Sequence, residues 1–273
     1  MRRWPALELA SPARPELVQA ALADYTITGI DESSRPGAWH VGFRTPADRD
    51  AAARALARQF PDAVIRPVDV PDEDWVARSQ AALTAVQVAG ILVAPPWDVP
   101  PPDRLPPIVL VIRPSMGFGT GHHATTRMCL RALQQVPVEG RTAIDVGTGS
   151  GLLAIAASRL GASRATAIDE DPDAIEAARD NLALNPGARV TLMLGDVRAG
   201  ARGPFDIVLA NLTGALLRGA ARPLGALAGP GAHLILSGFA RGEEAGVLAA
   251  YDGFGVKNRQ EEEDWLCVTL QRP

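Results

Sequence analysis

Apolar residues in the first part of the chain, residues 1–70, recur with two alternating periods, one typical of strands and one of amphipathic helices. The strand-like runs are ALEL, TITGID, AWHVGFRT and AVIRPVDV, and the helix-like runs are PELVQAALADY and DAAARALARQF. In chain order these runs give βαββαβ. That order predicts a small α+β domain of the ferredoxin-like kind, a four-stranded sheet with two helices on one face.

The next stretch, residues 71–107, breaks the pattern. It contains DEDW, a helical ARSQAALTAV, an apolar GILVAPPW and the proline cluster VPPPDRLPP. Consecutive prolines are stiff and extended. We therefore predict a semi-rigid linker and a domain boundary here.

From residue 108 to residue 273, apolar strand runs alternate with amphipathic helices. The strand runs are IVLVI, TAIDV, ATAIDED, VTLML, FDIVLAN, HLILSGF and WLCVTLQ, and the helical runs are 123–135, GLLAIAASRLG, PDAIEAARDNLAL, GALLRGAARPLGALA and 243–251. This alternation predicts an α/β domain, a doubly wound and mostly parallel sheet with helices on both faces. A ligand of such a sheet lies at the carboxyl ends of its strands.

Composition excludes several classes of protein. No apolar run reaches about eighteen residues and no export leader is found, so we expect a cytoplasmic protein that does not bind membranes. The net charge of −4 argues against a basic stripe and hence against direct nucleic-acid binding. Cys129 and Cys267 lie in apolar runs and are expected to be buried thiols.

The strongest chemical signal is AIDVGTGSGLLAIAA. Asp145 ends a strand, Gly147, Gly149 and Gly151 follow at a spacing of two, and a helix begins at once, so the backbone can approach a ligand closely. A dinucleotide fingerprint needs glycine where Leu152 stands, which speaks against an NAD-dependent oxidoreductase. The D-x-G-x-G-x-G form resembles motif one of the Rossmann-like S-adenosylmethionine (SAM) methyltransferases. Tight packing alone is the alternative.

Two acidic residues follow the next strands. Asp169 ends its strand eighteen residues after Gly151, where a carboxylate can accept both hydroxyls of a ribose. Asp196 in LMLGDV occupies the place where this superfamily often contacts the adenine amine, although a solvated loop residue fits equally well. Together with the glycines, these carboxylates predict a nucleoside site.

Another motif, FGTGHHATT, opens the helix at residue 123, and ANLTG follows a later strand. In this order the three motifs resemble the ribosomal protein L11 methyltransferase family (PrmA), whose pattern is approximately F-G-T-G-T-H-P-T-T with a later A-N-I-L-A. The βαββαβ head, DEDW and EEEDWLCVTL extend the resemblance over nearly the whole chain. It implies a SAM-dependent protein N-methyltransferase whose head, residues 1–70, recognises the substrate, the lysine and N-terminal amines of ribosomal protein L11.

The resemblance also implies roles for individual residues. A loop would fold over SAM, and it consists of Phe118, Gly119, Thr120 and Gly121. Thr126 would meet the methionyl part near a helix N-terminus, where N–H groups suit a carboxylate, and Gly147, Asp169 and Asn211 carry over onto other cofactor and site positions. The sequence departs from the family at His122, where the family has Thr, and at Ala124, where it has Pro. Loss of that proline frees the backbone before the helix.

The adjacent histidines, His122 and His123, do not predict a metal site. Neighbouring side chains point in different directions, His40 and His233 lie in unrelated elements, and no carboxylate stands at ligand spacing. We expect His123 to form hydrogen bonds within the loop.

The reacting site is predicted at ANLTG. The Asn211 carboxamide can accept one N–H of an incoming amine and the Leu212 carbonyl another, which directs the nitrogen lone pair at the SAM methyl group. Methyl transfer needs an uncharged amine in line with the S–CH3 bond, and desolvation helps the amine to lose its proton. Alternatively, Asn211 caps the helix that follows.

Three other functions stay open at this point. A related SAM-dependent methyltransferase could act on another protein or a small amine. A SAM-binding module could bind the cofactor without turnover. An NAD-dependent oxidoreductase is disfavoured by the glycine spacing.

Overall fold

A computed structural model of the protein describes residues 3–10, 22, 25, 27–35, 38–61, 63–71, 83–114, 121–197 and 203–273. The chain divides into two compact units, Met1–Leu83 and Thr84–Pro273. Most residues of the helices predicted at ARSQAALTAV and PELVQAALADY lie outside the described residues, as do Phe118, Gly119 and Thr120. The end of ARSQAALTAV, residues 83–86, is described and is not helical, because Val86 already belongs to a strand.

The first unit contains an antiparallel sheet. Its elements are β1 (Arg3–Ala10), β2 (Ile27–Arg35), β3 (Ala38–Phe43), α1 (Pro46–Gln59) and β4 (Ile65–Pro71), and the strand order is β2-β3-β1-β4. Helix α1 begins after Thr45, whose side chain accepts from the Asp48 amide at 3.1 Å, and it buries Ala52 and Leu56. Sheet and helix confirm the α+β prediction for this part of the chain.

The second unit begins with a small sheet of β5 (Val86–Val88), β6 (Ile91–Ala94) and β7 (Ile108–Val111), in which β6 pairs parallel to β7. All four residues of β6 are buried. The sequence interpretation made this stretch part of a linker that ended at residue 107. Residues 84–107 instead belong to the second unit, because their apolar strand pairs with β7. The division into 1–70, 71–107 and 108–273 as functional domains stays a prediction.

The main sheet has seven strands in the order β10-β9-β8-β11-β12-β14-β13. They are β8 (Thr142–Val146), β9 (Arg164–Asp169), β10 (Val190–Leu194), β11 (Phe205–Asn211), β12 (Ala228–Ala240), β13 (Gly255–Glu262) and β14 (Trp265–Gln271). The first five in that order are parallel, and β14 runs antiparallel to β12 and β13. This topology confirms the doubly wound α/β prediction. The winding direction reverses between β8 and β11, which makes their carboxyl ends the expected ligand crevice.

Helices cover both faces of the sheet: α2 (Ala124–Leu133), α3 (Leu152–Arg159), α4 (Pro172–Ala183), α5 (Gly214–Gly219), α6 (Ala221–Leu227) and α7 (Glu244–Ala249). Because side chains alternate along a strand, Leu209 of β11 packs in the core with α2 and α3, whereas Val208 packs with α5, α6 and α7. The single helix predicted at 214–228 is split, since Pro223 has no N–H for the Gly219 carbonyl. In the described ranges, no helix has the length and apolar content needed to cross a membrane.

Candidate active site

A cavity of about 730 Å³ opens at the carboxyl ends of β8, β9 and β11. Its volume lies in the range of small-molecule binding sites. Six residues predicted from the sequence to form the site line it: Gly147, Gly149, Asp169, Asp196, Asn211 and Leu212. The fold therefore brings the nucleoside motifs and the ANLTG motif to one cavity.

The glycine loop, residues 147–151, connects β8 to α3. Gly147, Gly149 and Gly151 all have positive φ angles, of 69°, 52° and 80°, a conformation that glycine adopts without steric cost. Gly147 and Gly149 line the cavity. Gly151 lies behind it, where a Cβ would come within 3.0 Å of the Ala178 Cβ. Its role is therefore close packing of the loop on α4.

Asp169 at the end of β9 is tied to the glycine loop. Its carboxylate accepts hydrogen bonds from the Gly149 amide at 2.9 Å and from the Asp171 amide at 3.1 Å. The Asp169 carbonyl also accepts from the Gly195 amide at 2.8 Å, which brings the chain at Asp196 to the same rim of the cavity.

Asp145 supports the glycine loop from behind. Its side chain is only 2% exposed, and it accepts a hydrogen bond from the Thr148 hydroxyl at 2.6 Å. Burial raises the pKa of Asp145 to about 7, because desolvation disfavours the charged form. This residue, predicted to bind the cofactor, does not line the cavity.

Asn211 ends β11 and faces the cavity. Its Nδ2 donates to the Thr126 hydroxyl at 3.3 Å. Thr126 is buried in the first turn of α2 and contacts the site through Asn211. The helix after ANLTG is capped by Thr213, whose side chain accepts from the Leu216 amide at 3.4 Å. The capping role considered for Asn211 thus belongs to Thr213.

Leu212 is enclosed by two glycines. Its amide donates to the Ser237 carbonyl at 2.9 Å. A Cβ on Gly147 would collide with Leu212 Cδ2, and a Cβ on Gly238 would collide with the Leu212 carbonyl oxygen. Gly238 also lines the cavity and has a φ angle of 94°. Sequence reasoning missed Gly238, although its place after the β12 run HLILS is a signal for the same sheet edge.

Two aromatic rings that sequence reasoning did not assign to the site also line the cavity. His123 and Trp265 pack edge to face with ring centroids 5.0 Å apart. His123 caps α2 and lies 2.7 Å from the Thr125 hydroxyl through Nδ1, which confirms its predicted hydrogen bonding. Burial lowers the pKa of His123, because desolvation favours the neutral ring. The sequence does not indicate this contact, because the position of Trp265 depends on the pairing of β14 with β12.

The remaining predicted residues lie away from the cavity wall. Gly121 packs against Val93, which a Cβ would approach to 3.0 Å. His122 Nε2 is 2.9 Å from the Thr84 carbonyl oxygen. Among the described residues, no three side chains of His, Cys, Asp or Glu form a group suited to a metal. Cys129 and Cys267 are buried free thiols, as predicted.

Strand order, glycine loop and carboxylates at the switch point define a Rossmann-like SAM methyltransferase fold. The family model of the ribosomal protein L11 methyltransferases (PrmA) matches residues 48–273. The chain therefore belongs to the ribosomal protein L11 methyltransferase family, as its motifs predicted.

Individual relatives carry the same name. The ribosomal protein L11 methyltransferase of Myxococcus xanthus is 35% identical, with 94% of each chain covered. The one from Burkholderia mallei is 41% identical and covers 81% of this chain and 72% of its own. The crystal structure of the ribosomal protein L11 methylase from Lactobacillus delbrueckii subsp. bulgaricus aligns with a TM-score of 0.64 at 25% identity, covering 70% of this chain and 98% of its own.

Proposed function

We propose that the protein transfers methyl groups from SAM to amino nitrogens of ribosomal protein L11, at lysine side chains and at the N-terminus. Its family is that of the ribosomal protein L11 methyltransferases, so the cofactor is SAM and the substrate protein is L11. One observation supports amine methylation most strongly: Asn211 and Leu212 line the same cavity as the glycine loop and Asp169. Because L11 is a ribosomal protein, we propose the cytoplasm as the place of action.

The cavity suits the cofactor chemically. Gly147 and Gly149 offer open backbone, and Asp169 and Asp196 offer carboxylates for ribose hydroxyls and for the adenine amine. When bound, SAM supplies a methyl group on a positively charged sulfur. Thr125, in the first turn of α2, lines the cavity at the N-terminus of this helix, whose positive dipole end suits the carboxylate of the methionyl part.

The acceptor nitrogen needs two partners and a dry environment. Asn211 Oδ1 and the Leu212 carbonyl can each accept one N–H of a neutral amine, which leaves the nitrogen lone pair directed away from them. Apolar side chains of Leu212, Ala215 and Leu216 line this part of the cavity. An apolar wall disfavours the ammonium form and so lowers the pKa of the amine. Held by Asn211 and Leu212, the neutral nitrogen would accept the methyl group that bound SAM supplies, and its surplus proton would pass to water.

The test is methylation of purified ribosomal protein L11 by the purified chain with SAM. We expect mass increments of one methyl group or its multiples, located by fragmentation to lysine and N-terminal nitrogens, and far smaller amounts with Asn211→Ala over the same time. SAM binding with methylation of a different protein in cell extract would point to a related enzyme. SAM binding without any S-adenosylhomocysteine would point to a non-catalytic module.

A further inference from the structure

Asn181 lies in the last turn of α4 and is only 1% exposed. Its carboxamide bridges two backbone segments that are distant in sequence. Nδ2 donates to the Ser150 carbonyl at 2.9 Å, and Oδ1 accepts from the Arg113 amide at 2.8 Å. One buried side chain therefore joins the glycine loop to the chain just after β7.

The Ser150 end of this bridge is next to the cofactor residues. Ser150 stands between Gly149, which lines the cavity, and Gly151, which packs on Ala178 of α4. The Gly149 amide in turn donates to Asp169 at 2.9 Å. A shift of the Ser150 carbonyl would therefore move both the loop backbone and the carboxylate proposed to bind the ribose.

The Arg113 end gives the bridge a fixed support. Arg113 follows β7, whose Val111 is held on both backbone groups by Asn185: Oδ1 accepts from the Val111 amide at 2.9 Å, and Nδ2 donates to the Val111 carbonyl at 2.7 Å. Asn185 is 2% exposed, lies just after the end of α4, and its Nδ2 also donates to the Asn181 carbonyl at 2.7 Å. Asn185 thus links the end of α4 to β7 by hydrogen bonds. Asn181 links α4 both to the chain after β7 and to the glycine loop.

Only a group that donates and accepts at once can fill this place. An ionised carboxylate of the same size accepts from the Arg113 amide but has no hydrogen for the Ser150 carbonyl, whereas a protonated one would restore that bond. The comparison is therefore made at alkaline pH, where the ionised form is favoured. A buried polar group that loses its partner is costly, so the loop is expected to move when the donor is removed.

We propose that Asn181 is a positioning residue for the cofactor: it holds the glycine loop, through Ser150, at a fixed place relative to β7 and α4. The loop is then set for SAM before SAM binds. This inference rests on the proposed function, since it concerns the affinity for SAM.

The test compares Asn181→Asp with Asn185→Asp. Both substitutions keep the size and replace a buried carboxamide that donates to backbone carbonyls, in the last turn of α4 for Asn181 and just after its end for Asn185. Only the first removes a bond to the glycine loop. Calorimetric titration with SAM should show a Kd raised about tenfold or more for Asn181→Asp, a loss of about 1.4 kcal/mol, and within about threefold of wild type for Asn185→Asp. Thermal melting should show similar destabilisation of the two variants.

Each outcome decides between the alternatives. A folded Asn181→Asp protein with wild-type SAM affinity overturns the inference, as does equal weakening by Asn185→Asp, which would indicate general packing. If Asn181→Asp does not fold, Asn181→Ser replaces it, because the smaller hydroxyl leaves room for a water and should also weaken SAM. Failure of the wild-type protein to bind SAM would instead refute the proposed function.

Discussion

The Asp169 carboxylate accepts two backbone hydrogen bonds and still faces the cavity, which makes it the anchor proposed for the ribose. Asp169→Ala should weaken SAM binding by about 1 to 3 kcal/mol, because charge-assisted hydrogen bonds are lost. Calorimetric titration measures this change. Asp173→Ala is the control, since Asp173 is exposed in the first turn of α4, and its SAM affinity should match that of the wild type. Unchanged affinity for Asp169→Ala would remove this residue from the site.

Asn211 tests the chemical step separately from cofactor binding. Asn211→Ala should lower kcat about a hundredfold, the order expected from a misorientation of about 1 Å, and should leave the SAM Kd nearly unchanged. Asn211→Asp still accepts hydrogen bonds but stabilises the unreactive ammonium, so its activity should recover partly as pH rises. Steady-state kinetics at several pH values measures both effects. A wild-type kcat in Asn211→Ala would contradict the assigned role.

Asp145 makes the folding stability depend on pH. Its folded-state pKa of about 7 lies above the unfolded value of about 3.9, so the native state holds the proton more tightly. The protonated Asp145 contributes fully to the free energy of unfolding below about pH 4. This contribution, on the order of a few kcal/mol, is lost as pH rises through about 7. Asn cannot ionise. The melting temperature of Asp145→Asn should therefore rise relative to wild type between about pH 5 and pH 8.

Asp206 supplies a control of opposite sign. Hydrogen bonds from the Thr142 backbone and side chain lower the pKa of Asp206. Its contribution is therefore present above the unfolded pKa of about 3.9 and lost only as pH falls below it. The difference in melting temperature between Asp206→Asn and the wild type should therefore stay constant between about pH 5 and pH 8. If the difference in melting temperature between Asp145→Asn and the wild type is also constant over this range, the pKa of Asp145 is not raised.

At the scale of elements, strand β12 carries two glycines with positive φ in different surroundings. Gly238 has a φ angle of 94°, and a Cβ there would collide with the Leu212 backbone, whereas Gly231 has a φ angle of 72° with nothing within 4 Å of its Cβ position. Gly231→Ala should cost only backbone strain, about 1 kcal/mol. Gly238→Ala should add the collision, displace the Leu212 carbonyl and lower kcat at least tenfold. Thermal melting and kinetics of both variants provide the comparison, and equal kcat values would contradict it.

Element prediction succeeded where a pattern was local. Apolar runs such as FDIVLAN and TAIDV are strands buried on both faces, and their hydrophobicity alone identifies them. Strand β13, with the sequence GVKNRQEE, escaped prediction because it is an exposed edge strand that exists by pairing with β14. The short β6 was read as part of a linker because the prolines after it dominate the composition. This segment forms a strand because it pairs with β7, which begins fourteen residues after the end of β6.

The site residues that could be predicted are likewise those that a local pattern identifies. Motif residues on consecutive strands, Gly147 and Asp169 among them, could be placed because parallel strands share one carboxyl edge. Trp265 could not, because it reaches the cavity through the antiparallel return of β14 beside β12. Gly238 lies at the carboxyl end of β12, which is parallel to β11, so the sequence did carry a signal for it that was missed. Asp145 belongs to the motif but lies behind the loop, which the spacing alone does not reveal.

At the scale of the molecule, the two units allow a separation of functions. Every described residue of the cavity belongs to Thr84–Pro273, so a truncated chain beginning at Thr84 should still bind SAM. The first unit is proposed to recognise the substrate protein. Methylation of intact ribosomal protein L11 by the truncated chain should therefore fall to a small fraction of the full-length rate, as measured by mass spectrometry. A full-length rate would assign the first unit another purpose.

The position of Leu212 has a further consequence, because it borders both of the proposed binding sites, the one for the cofactor and the one for the amine. Its side chain lies against the first glycine of the cofactor loop, and its carbonyl is the proposed partner of the acceptor amine. Sites that share a residue are linked energetically, and such a linkage is reciprocal. By whatever factor the cofactor changes the affinity for the amine, the amine changes the affinity for the cofactor. Inhibition by the spent cofactor should consequently vary with the concentration of the protein substrate.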